Sequence, residues 1–274
     1  MQIQDKVFVV TGGGNGIARE VVLQLLAKGA EVAALDLSET GLAETAQLAN
    51  AGDRLSTHIV DVTDRAAVEA LPDAVKATHG RVDGLLNIAG IIHRFAPIAE
   101  LTIEEIEKVI RINYWGTVYA VKSFLPDLLA RPEALILDFS SMGGLVPVPG
   151  QGAYGSSKAA VKLFTETLFA ELQGTNVHVT VVFPGGVSTN ITGNSGVEAP
   201  GGRKAPSDGS QPKPPKGITL TTPQDAGRQV VEAIERNTPR LLIGKDAKGL
   251  DKLGRISPVR AILTVQRQMK AILG

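Results

Sequence analysis

The 274-residue sequence contains no cysteine, so it can form neither a disulfide nor a thiolate metal site. It has no excess of charge of either sign, with 28 Lys and Arg against 28 Asp and Glu. The lack of a basic surplus argues against nucleic acid as the main partner. No apolar run approaches the roughly 18 residues of a membrane-spanning helix. Residues 1–10 are too short and too polar for a signal peptide. These absences predict a cytoplasmic protein without a metal site.

What is present is an alternation of apolar, β-branched runs with helical patterns. The runs that predict strands are Lys6–Thr11, Glu31–Asp36, Thr57–Val60, Val82–Asn87, Ala134–Phe139, Val177–Phe183 and Arg240–Ile243. The stretches that predict helices are Glu20–Lys28, Ala66–Thr78, Ile103–Leu129, Tyr154–Leu172 and Pro223–Arg236. Such alternation is typical of a parallel sheet with right-handed crossovers. The predicted fold is a single-domain, Rossmann-type α/β fold, a doubly wound parallel sheet flanked by helices on both faces.

A glycine-rich turn follows the first predicted strand. It reads Gly12-Gly13-Gly14-Asn15-Gly16-Ile17-Ala18. Glycines let the backbone approach a pyrophosphate, and the start of the next helix offers free N–H groups and a positive dipole end. The unit of strand, turn, helix and strand therefore predicts a dinucleotide site.

Asp36 ends the second predicted strand. An acidic residue at this place can bind the adenosine ribose hydroxyls. Its charge would repel a 2′-phosphate, and neither Asn15 nor Leu37 supplies the cation that such a phosphate needs. Asp36 thus favours NAD over NADP.

A tyrosine and a lysine lie four residues apart, at Tyr154 and Lys158, and Ser141 precedes the tyrosine by thirteen residues. Positions i and i+4 share a helix face, and a nearby ammonium lowers the pKa of a phenol. A tyrosine tuned in this way can exchange a proton with an alcohol or carbonyl oxygen. Ser141 could hold the same oxygen, although the tyrosine–lysine spacing alone also fits a solvated helix face.

Taken together, these motifs resemble the classical short-chain dehydrogenase/reductase family, over roughly residues 3–192 and a helix and strand near 223–243. The family's Thr-Gly-x-x-x-Gly-x-Gly motif reads here from Thr11 to Ala18, with Ala18 in place of the last glycine. Asn87-Ile88-Ala89-Gly90 is similar to the family's Asn-Asn-Ala-Gly, with Ile88 as the departure. Pro184-Gly185-Gly186-Val187-Ser188-Thr189 matches Pro-Gly-x-Val-x-Thr.

The resemblance implies a set of cofactor-binding residues. In the family, the counterparts of Asp61 and Val62 cap the adenine, and the segment that begins at Pro184 wraps the nicotinamide. The implied set is Gly12, Asn15, Gly16, Ile17, Asp36, Asp61, Val62, Asn87, Ala89, Gly90, Tyr154, Lys158, Pro184, Gly185, Val187 and Thr189.

The resemblance also implies four catalytic residues, Asn113, Ser141, Tyr154 and Lys158. Tyr154 would be the acid/base, Lys158 would lower its pKa and bind the nicotinamide ribose, and Ser141 would orient the substrate. Asn113 would hold a water that links the lysine to solvent; its alternative reading is a polar residue that bends a helix. The expected activity is the NAD-dependent interconversion of a secondary alcohol and a ketone. Ser140 is expected to be structural.

The sequence predicts a catalytic domain, a lid within it and a carboxyl-terminal extension. We expect residues 1–250 to form the catalytic domain, with a substrate lid over 190–222, which is rich in glycine and proline. Residues 251–274 form an amphipathic helical extension, with a helix predicted after Pro258. This helix could pack on a neighbouring subunit, roof the substrate pocket or lie on an anionic membrane.

The substrate itself is less well defined. Residues expected to face it, because they are close to the motifs, are His93, Met142, Leu145, Gln151 and Gly186. They indicate a mainly apolar pocket for a hydrophobic or cyclic small molecule. Surplus apolar residues on the two long helices predict a homodimer or homotetramer. The alternatives are a membrane-associated enzyme that acts on lipids and an NAD-binding regulator without turnover.

Overall fold

The computed structural model describes residues 1–197 and 220–273, with side chains as far as residue 270. Within these residues, strands β1 to β7 form one parallel sheet in the order β3-β2-β1-β4-β5-β6-β7. They span Val7–Thr11, Glu31–Asp36, Leu55–Ile59, Gly84–Asn87, Ala134–Phe139, Val177–Pro184 and Arg240–Ile243. The strand order reverses between β1 and β4, which places a crevice at their carboxyl ends.

Helices cover both faces of this sheet. Helices α1 to α10 span Gly16–Ala27, Glu39–Ala49, Arg65–His79, Ile103–Ile110, Gly116–Leu129, Gly152–Glu171, Ile191–Asn194, Pro223–Glu235, Lys245–Ile256 and Pro258–Leu273. One core lies between the sheet and α1 and α8. The other lies between the sheet and α3, α5 and α6. The predicted fold class is confirmed.

Burial on both faces explains why the central strands read as continuous apolar runs. All residues of β1, β4 and β5 are buried, as expected for a parallel sheet between two helical layers. Strand β3, at the sheet edge, has no buried residue. The core therefore fixes the strands whose ends carry the predicted motifs.

The long predicted helix Ile103–Leu129 is interrupted. A π-helical turn, Arg111–Trp115, separates α4 from α5. Its centre is Asn113, which is fully buried. Such turns insert one residue and are frequent at functional sites, so the interruption turns Asn113 toward the loop after β4.

The carboxyl-terminal region differs from expectation. The boundary expected at residue 250 falls inside α9, a helix that the charged, glycine-containing sequence did not predict. The predicted helix after Pro258 is present as α10. It packs through Ala261 and Val265 onto Val146, at the edge of the loop after β5. None of the helices in the described ranges is long and apolar enough to cross a bilayer.

The lid predicted over 190–222 falls largely on residues 198–219, outside the described ranges. At its two ends the structure describes α7 and a bridge between Val187 and Thr221.

Candidate active site

A cavity of about 660 Å³ opens at the carboxyl ends of the central strands. Nearly all predicted site residues line it. They are Gly12, Asn15, Gly16, Ile17, Asp36, Asp61, Val62, Ala89, Gly90, Ser141, Tyr154, Lys158, Pro184, Gly185, Val187 and Thr189. Asn87 and Asn113 are not in the wall. The structure thus brings residues from distant parts of the chain to one crevice.

The glycine-rich turn is held against the loop after β4. Gly12 has φ +79°, and a Cβ at this position would lie 3.0 Å from the Ala89 Cα. The Thr11 hydroxyl accepts hydrogen bonds from the N–H groups of Ile88 (3.0 Å) and Ala89 (3.1 Å). Glycine is therefore required at position 12 both for the backbone conformation and for the close approach of the two loops.

Among the described residues, the start of α1 has no side-chain partner of its own. Helix α1 has no side-chain cap and no acidic residue in its first turn, whereas Ser38 caps α2 and Asp64 caps α3. The first N–H groups of an uncapped helix lack intrahelical partners and carry a partial positive charge. Because Asn15 and Gly16 line the cavity, these donors suit the pyrophosphate of a dinucleotide.

Asp36 occupies the cavity wall and also supports the turn. Its two oxygens accept hydrogen bonds from Gly14 N and Ser38 N, each at 2.9 Å. Arg19, which the sequence analysis did not single out, turns its guanidinium to Glu44 at 2.7 Å and to the carbonyl oxygens of Gly14 and Gly41. The Arg19 guanidinium is thus paired within the protein.

Tyr154 and Ser141 face each other across the opposite end of the cavity. The Ser141 hydroxyl accepts a hydrogen bond from Gly143 N at 3.1 Å. Burial raises the pKa of the Tyr154 phenol above its ordinary value, and the neighbouring Ser141 hydroxyl opposes this shift. Desolvation dominates this shift, and the Lys158 ammonium donates to a backbone oxygen; a lowering of the Tyr154 pKa by Lys158 stays a prediction.

The Lys158 ammonium donates a hydrogen bond to the Phe139 carbonyl oxygen at 2.9 Å. Burial lowers the pKa of Lys158 to about 8, and the nearby Asp138 carboxylate opposes the shift. Ser140 donates to the Lys158 carbonyl oxygen at 2.7 Å, in agreement with its expected structural role. Lys158 is therefore anchored to the end of β5 through both its side chain and its backbone.

Asn113 lies behind the cavity wall and joins three elements. Its Nδ2 donates to the Ile91 carbonyl oxygen (3.0 Å) and to the Ser157 hydroxyl (2.9 Å), while its Oδ1 accepts from Ile91 N (2.9 Å). Both amide hydrogens are therefore used within the protein. Through these bonds Asn113 joins the loop after β4 to α6, at the π-helical turn between α4 and α5; its role in holding a water stays a prediction.

Asn87 also lies one layer beneath the wall. Its Nδ2 donates to the buried Asp138 carboxylate at 2.8 Å, and Thr165 donates to the other Asp138 oxygen at 2.9 Å. Burial raises the pKa of Asp138 to about 6, against these two hydrogen bonds and the charge of Lys158. Sequence reasoning missed Asp138, although an acidic residue inside the apolar run of β5 was a visible signal.

The segment that begins at Pro184, which the resemblance assigns to the nicotinamide, contacts α9 in a way that the sequence did not predict. Asp246 accepts a hydrogen bond from Gly186 N at 2.6 Å. The same segment is held by Thr221, whose N–H donates to the Gly186 carbonyl oxygen and whose carbonyl oxygen accepts from Ser188 N, each at 2.9 Å. No local motif marks Asp246, which reaches the site only through the folding of the tail.

Of the residues expected to face a substrate, three line the cavity and two do not. Met142, Gln151 and Gly186 are in the wall. Leu145 instead packs with Val146 against α10, and His93 is buried behind Gln151. The remaining wall near Tyr154 is largely apolar and includes Ile91, Ile92, Phe95 and Val148.

Comparisons with known proteins identify relatives over most of the chain. The family model for short chain dehydrogenases matches residues 6–199. A putative oxidoreductase of Mycobacterium tuberculosis, SadH, is 36% identical over 261 residues, 92% of this chain and 91% of that protein.

Among solved structures, a short chain dehydrogenase/reductase from Burkholderia phymatum in complex with NAD superposes with a TM-score of 0.82. It is 26% identical and covers 94% of this chain and 95% of its own. A serine dehydrogenase complexed with NADP+ has a TM-score of 0.74 at 26% identity, over 86% of this chain and 94% of its own. Relatives of this fold thus bind either nicotinamide cofactor.

A nicotinamide dinucleotide fits the glycine-lined end of the crevice, where α1 begins without a cap. A small-molecule substrate fits the other end of the crevice, beside Ser141, Tyr154 and Lys158. With the family match over most of the chain, the conclusion is that this protein belongs to the short-chain dehydrogenase family of NAD(P)-binding oxidoreductases.

Proposed function

We propose that the protein interconverts a secondary alcohol and a ketone, with NAD as the preferred cofactor and a hydrophobic or cyclic small molecule as substrate. The main observation behind this proposal is that Ser141, Tyr154 and Lys158 line one cavity. The other end of this cavity has the glycine turn and helix start that suit a dinucleotide. The bound nicotinamide supplies hydride chemistry. The protein's own contribution is to hold the substrate oxygen and move its proton.

In this proposal, Tyr154 donates a proton to the carbonyl oxygen in ketone reduction and removes it in alcohol oxidation. Near neutral pH the Tyr154 phenol is protonated, which is the state that ketone reduction requires; alcohol oxidation requires the phenolate, which the nearby positive charge of Lys158 would favour. Ser141 donates a hydrogen bond to the same oxygen and stabilises its developing charge. Lys158, anchored at Phe139, would hold the nicotinamide ribose, and Asn113 keeps this end of the site in place.

The preference for NAD is supported by Asp36. Its carboxylate lines the cavity and can accept hydrogen bonds from the ribose hydroxyls, whereas a 2′-phosphate would meet its negative charge. Arg19, paired with Glu44 at 2.7 Å, does not offset that charge.

Self-association is a further part of the proposal. The side chains of Trp115 and Leu163 are 45% and 64% exposed, although both lie on the long helical segments that cover one sheet face. Exposed apolar groups that form a contiguous patch mark subunit interfaces. We expect a dimer or tetramer, which light scattering of the purified protein would test, with Leu163→Glu as the variant that should dissociate it.

The direct test is an absorbance screen for NADH formation or consumption over secondary alcohols and ketones. Tyr154→Phe removes the proton that is transferred and keeps the ring. It should abolish turnover while NADH binding stays within a few-fold of the wild type. Tyr119→Phe, a tyrosine of α5 that stacks on Trp115, is the matched control and should remain active. Retained turnover in Tyr154→Phe would refute the mechanism.

A further inference from the structure

Two residues close to Tyr154, Gln151 and its hydrogen-bond partner His93, each carry a buried polar atom without a partner in the described part of the chain. Gln151 and His93 are each only 4% exposed. The Gln151 Oε1 and the His93 Nε2 have no hydrogen-bond partner among the described residues. Buried polar atoms without partners are rare in proteins and cost folding free energy. Of the two residues only Gln151 lines the cavity, so its unpaired oxygen points to a ligand that pairs with it there.

The surrounding hydrogen bonds fix which atoms are unpaired. The Gln151 Nε2 donates to the His93 carbonyl oxygen at 3.0 Å. A carbonyl oxygen only accepts, so the amide must be oriented with Oε1 as its unpaired end. The His93 Nδ1 lies 2.6 Å from the Arg94 carbonyl oxygen and must carry the ring hydrogen. In the neutral ring, Nε2 is then an acceptor as well, and the missing partner of each atom is a donor.

Gln151 lies in the wall of the cavity, and it precedes Tyr154 by three residues at the start of α6. The cavity wall also includes the apolar side chains of Phe95 and Val148. Its N–H donates to the Val148 carbonyl oxygen at 3.0 Å, and Gly150 lies against Phe95. A polar acceptor in an apolar surface contributes little to general affinity but selects strongly for a matching donor.

We propose that Gln151 determines substrate specificity by accepting, at Oε1, a hydrogen bond from a second hydroxyl group of the substrate. The substrates are then hydroxyketones and the corresponding diols with an otherwise apolar carbon skeleton. His93 is a positioning residue, because its carbonyl oxygen holds the Gln151 amide in the accepting orientation. This inference rests on the proposed function, since it concerns the substrate of the same site.

The first test needs no variant. The wild-type enzyme is assayed with NADH on cyclohexanone and on its 2-, 3- and 4-hydroxy and methoxy derivatives. A methoxy group has a similar position but no donor, so it cannot pair with an acceptor. We expect the best hydroxyketone to exceed both its methoxy counterpart and cyclohexanone in kcat/KM by about tenfold or more. Equal kcat/KM values for hydroxy and methoxy compounds at all three positions would overturn the proposal.

The second test removes the acceptor. In Gln151→Leu, the kcat/KM ratio of the best hydroxyketone to its methoxy counterpart should fall by about tenfold, the loss expected for one hydrogen bond to a buried partner. Gln173→Leu is the matched control, because Gln173 lies just beyond the other end of α6 and also donates to a backbone carbonyl oxygen, that of Phe169 at 2.7 Å. The ratio in this control should equal that of the wild type.

The outcomes separate this inference from the proposed function. If Tyr154→Phe abolishes turnover but Gln151→Leu keeps the wild-type ratio, the specificity role is wrong and the reaction stands. If Tyr154→Phe retains turnover, the proposed mechanism fails, whatever Gln151 does. Thermal unfolding and NADH titration of Gln151→Leu show whether it is folded; if it is not, the wild-type substrate series decides the proposal.

Discussion

The Asp246 carboxylate accepts a hydrogen bond from the Gly186 N–H at 2.6 Å. The two residues are separated by 60 positions in the chain and belong to different parts of the molecule, the first turn of α9 and the loop after β6. A Cβ at Gly185 would collide with the same carboxylate. The tail helix is thus joined to the segment proposed to wrap the nicotinamide.

Asp246→Ala should weaken NADH binding, because the loop loses the partner that holds the Gly186 N–H. Hydrogen bonds to charged groups are worth about 1.5–3 kcal/mol, so we expect the Kd of NADH to rise by about tenfold or more. Asp246→Asn keeps an accepting oxygen and should recover most of the affinity. The exposed neighbour Lys248 supplies the control, Lys248→Ala. Fluorescence titration measures all four proteins, and unchanged affinity in Asp246→Ala would show that the contact only docks α9.

Asp36 should set the cofactor preference through its charge. Asp36→Asn keeps the size of the side chain and one accepting oxygen but removes the negative charge that a 2′-phosphate would meet. We expect the ratio of kcat/KM for NADPH to that for NADH to rise by about tenfold or more, since one charge contact near a protein surface is worth a few kcal/mol. Equal losses with both cofactors would instead mean that Asp36 only supports Gly14 and Ser38.

Local sequence predicted much of this site. The strand and glycine turn before Gly16 can be predicted from a few neighbouring positions, and so can the acidic residue at the end of β2. Backbone conformation and strand periodicity are local properties. The same holds for Tyr154 and Lys158 on one helix. The bounds of β2, β5 and β7 were predicted without error, since each is an apolar run with clear ends.

What the sequence did not predict depends on tertiary contacts. Asp246 meets Gly186 only after the tail folds back, and nothing near position 246 indicates this. Asn87 belongs to the cofactor motif, yet its amide is taken by Asp138 on the neighbouring strand. The direction of the Tyr154 pKa depends on burial, which helical spacing does not report. Long-range packing therefore decides which motif residues reach the cavity and in what protonation state.

The pH dependence of ketone reduction should report the pair of buried charges, Asp138 and Lys158. The groups that face Asp138 are Asn87 on β4 and Thr165 and Lys158 on α6. In the proposed mechanism the reaction needs the Lys158 ammonium; burial lowers the pKa of this group to about 8, and the Asp138 carboxylate opposes that shift. The rate should therefore fall as the pH rises through this value.

Asp138→Asn removes that carboxylate, so the pKa of Lys158 should fall further and the alkaline limb of kcat/KM should move to lower pH. Thr165→Val is the control: it removes one hydrogen bond to Asp138 but leaves the two charged residues in place, and its limb should move less. NMR titration of lysines labelled at Cε in the free protein gives a second readout. An alkaline limb at the same pH in Asp138→Asn would contradict the coupling.

The packing of α10 onto the loop after β5 should be needed for both stability and substrate binding. Ala261 is fully buried against Val146, and the same cluster includes Val148, which lines the cavity. Ala261→Asp would place an unpaired charge in this contact, which proteins avoid at a cost of several kcal/mol. The helix should detach, with a lower midpoint of thermal unfolding and a higher KM for the ketone.

Gln268→Asp introduces the same charge on the exposed side of α10 and should leave both values unchanged. If Ala261→Asp lowers the midpoint but leaves KM unchanged, α10 stabilises the fold without shaping the substrate pocket.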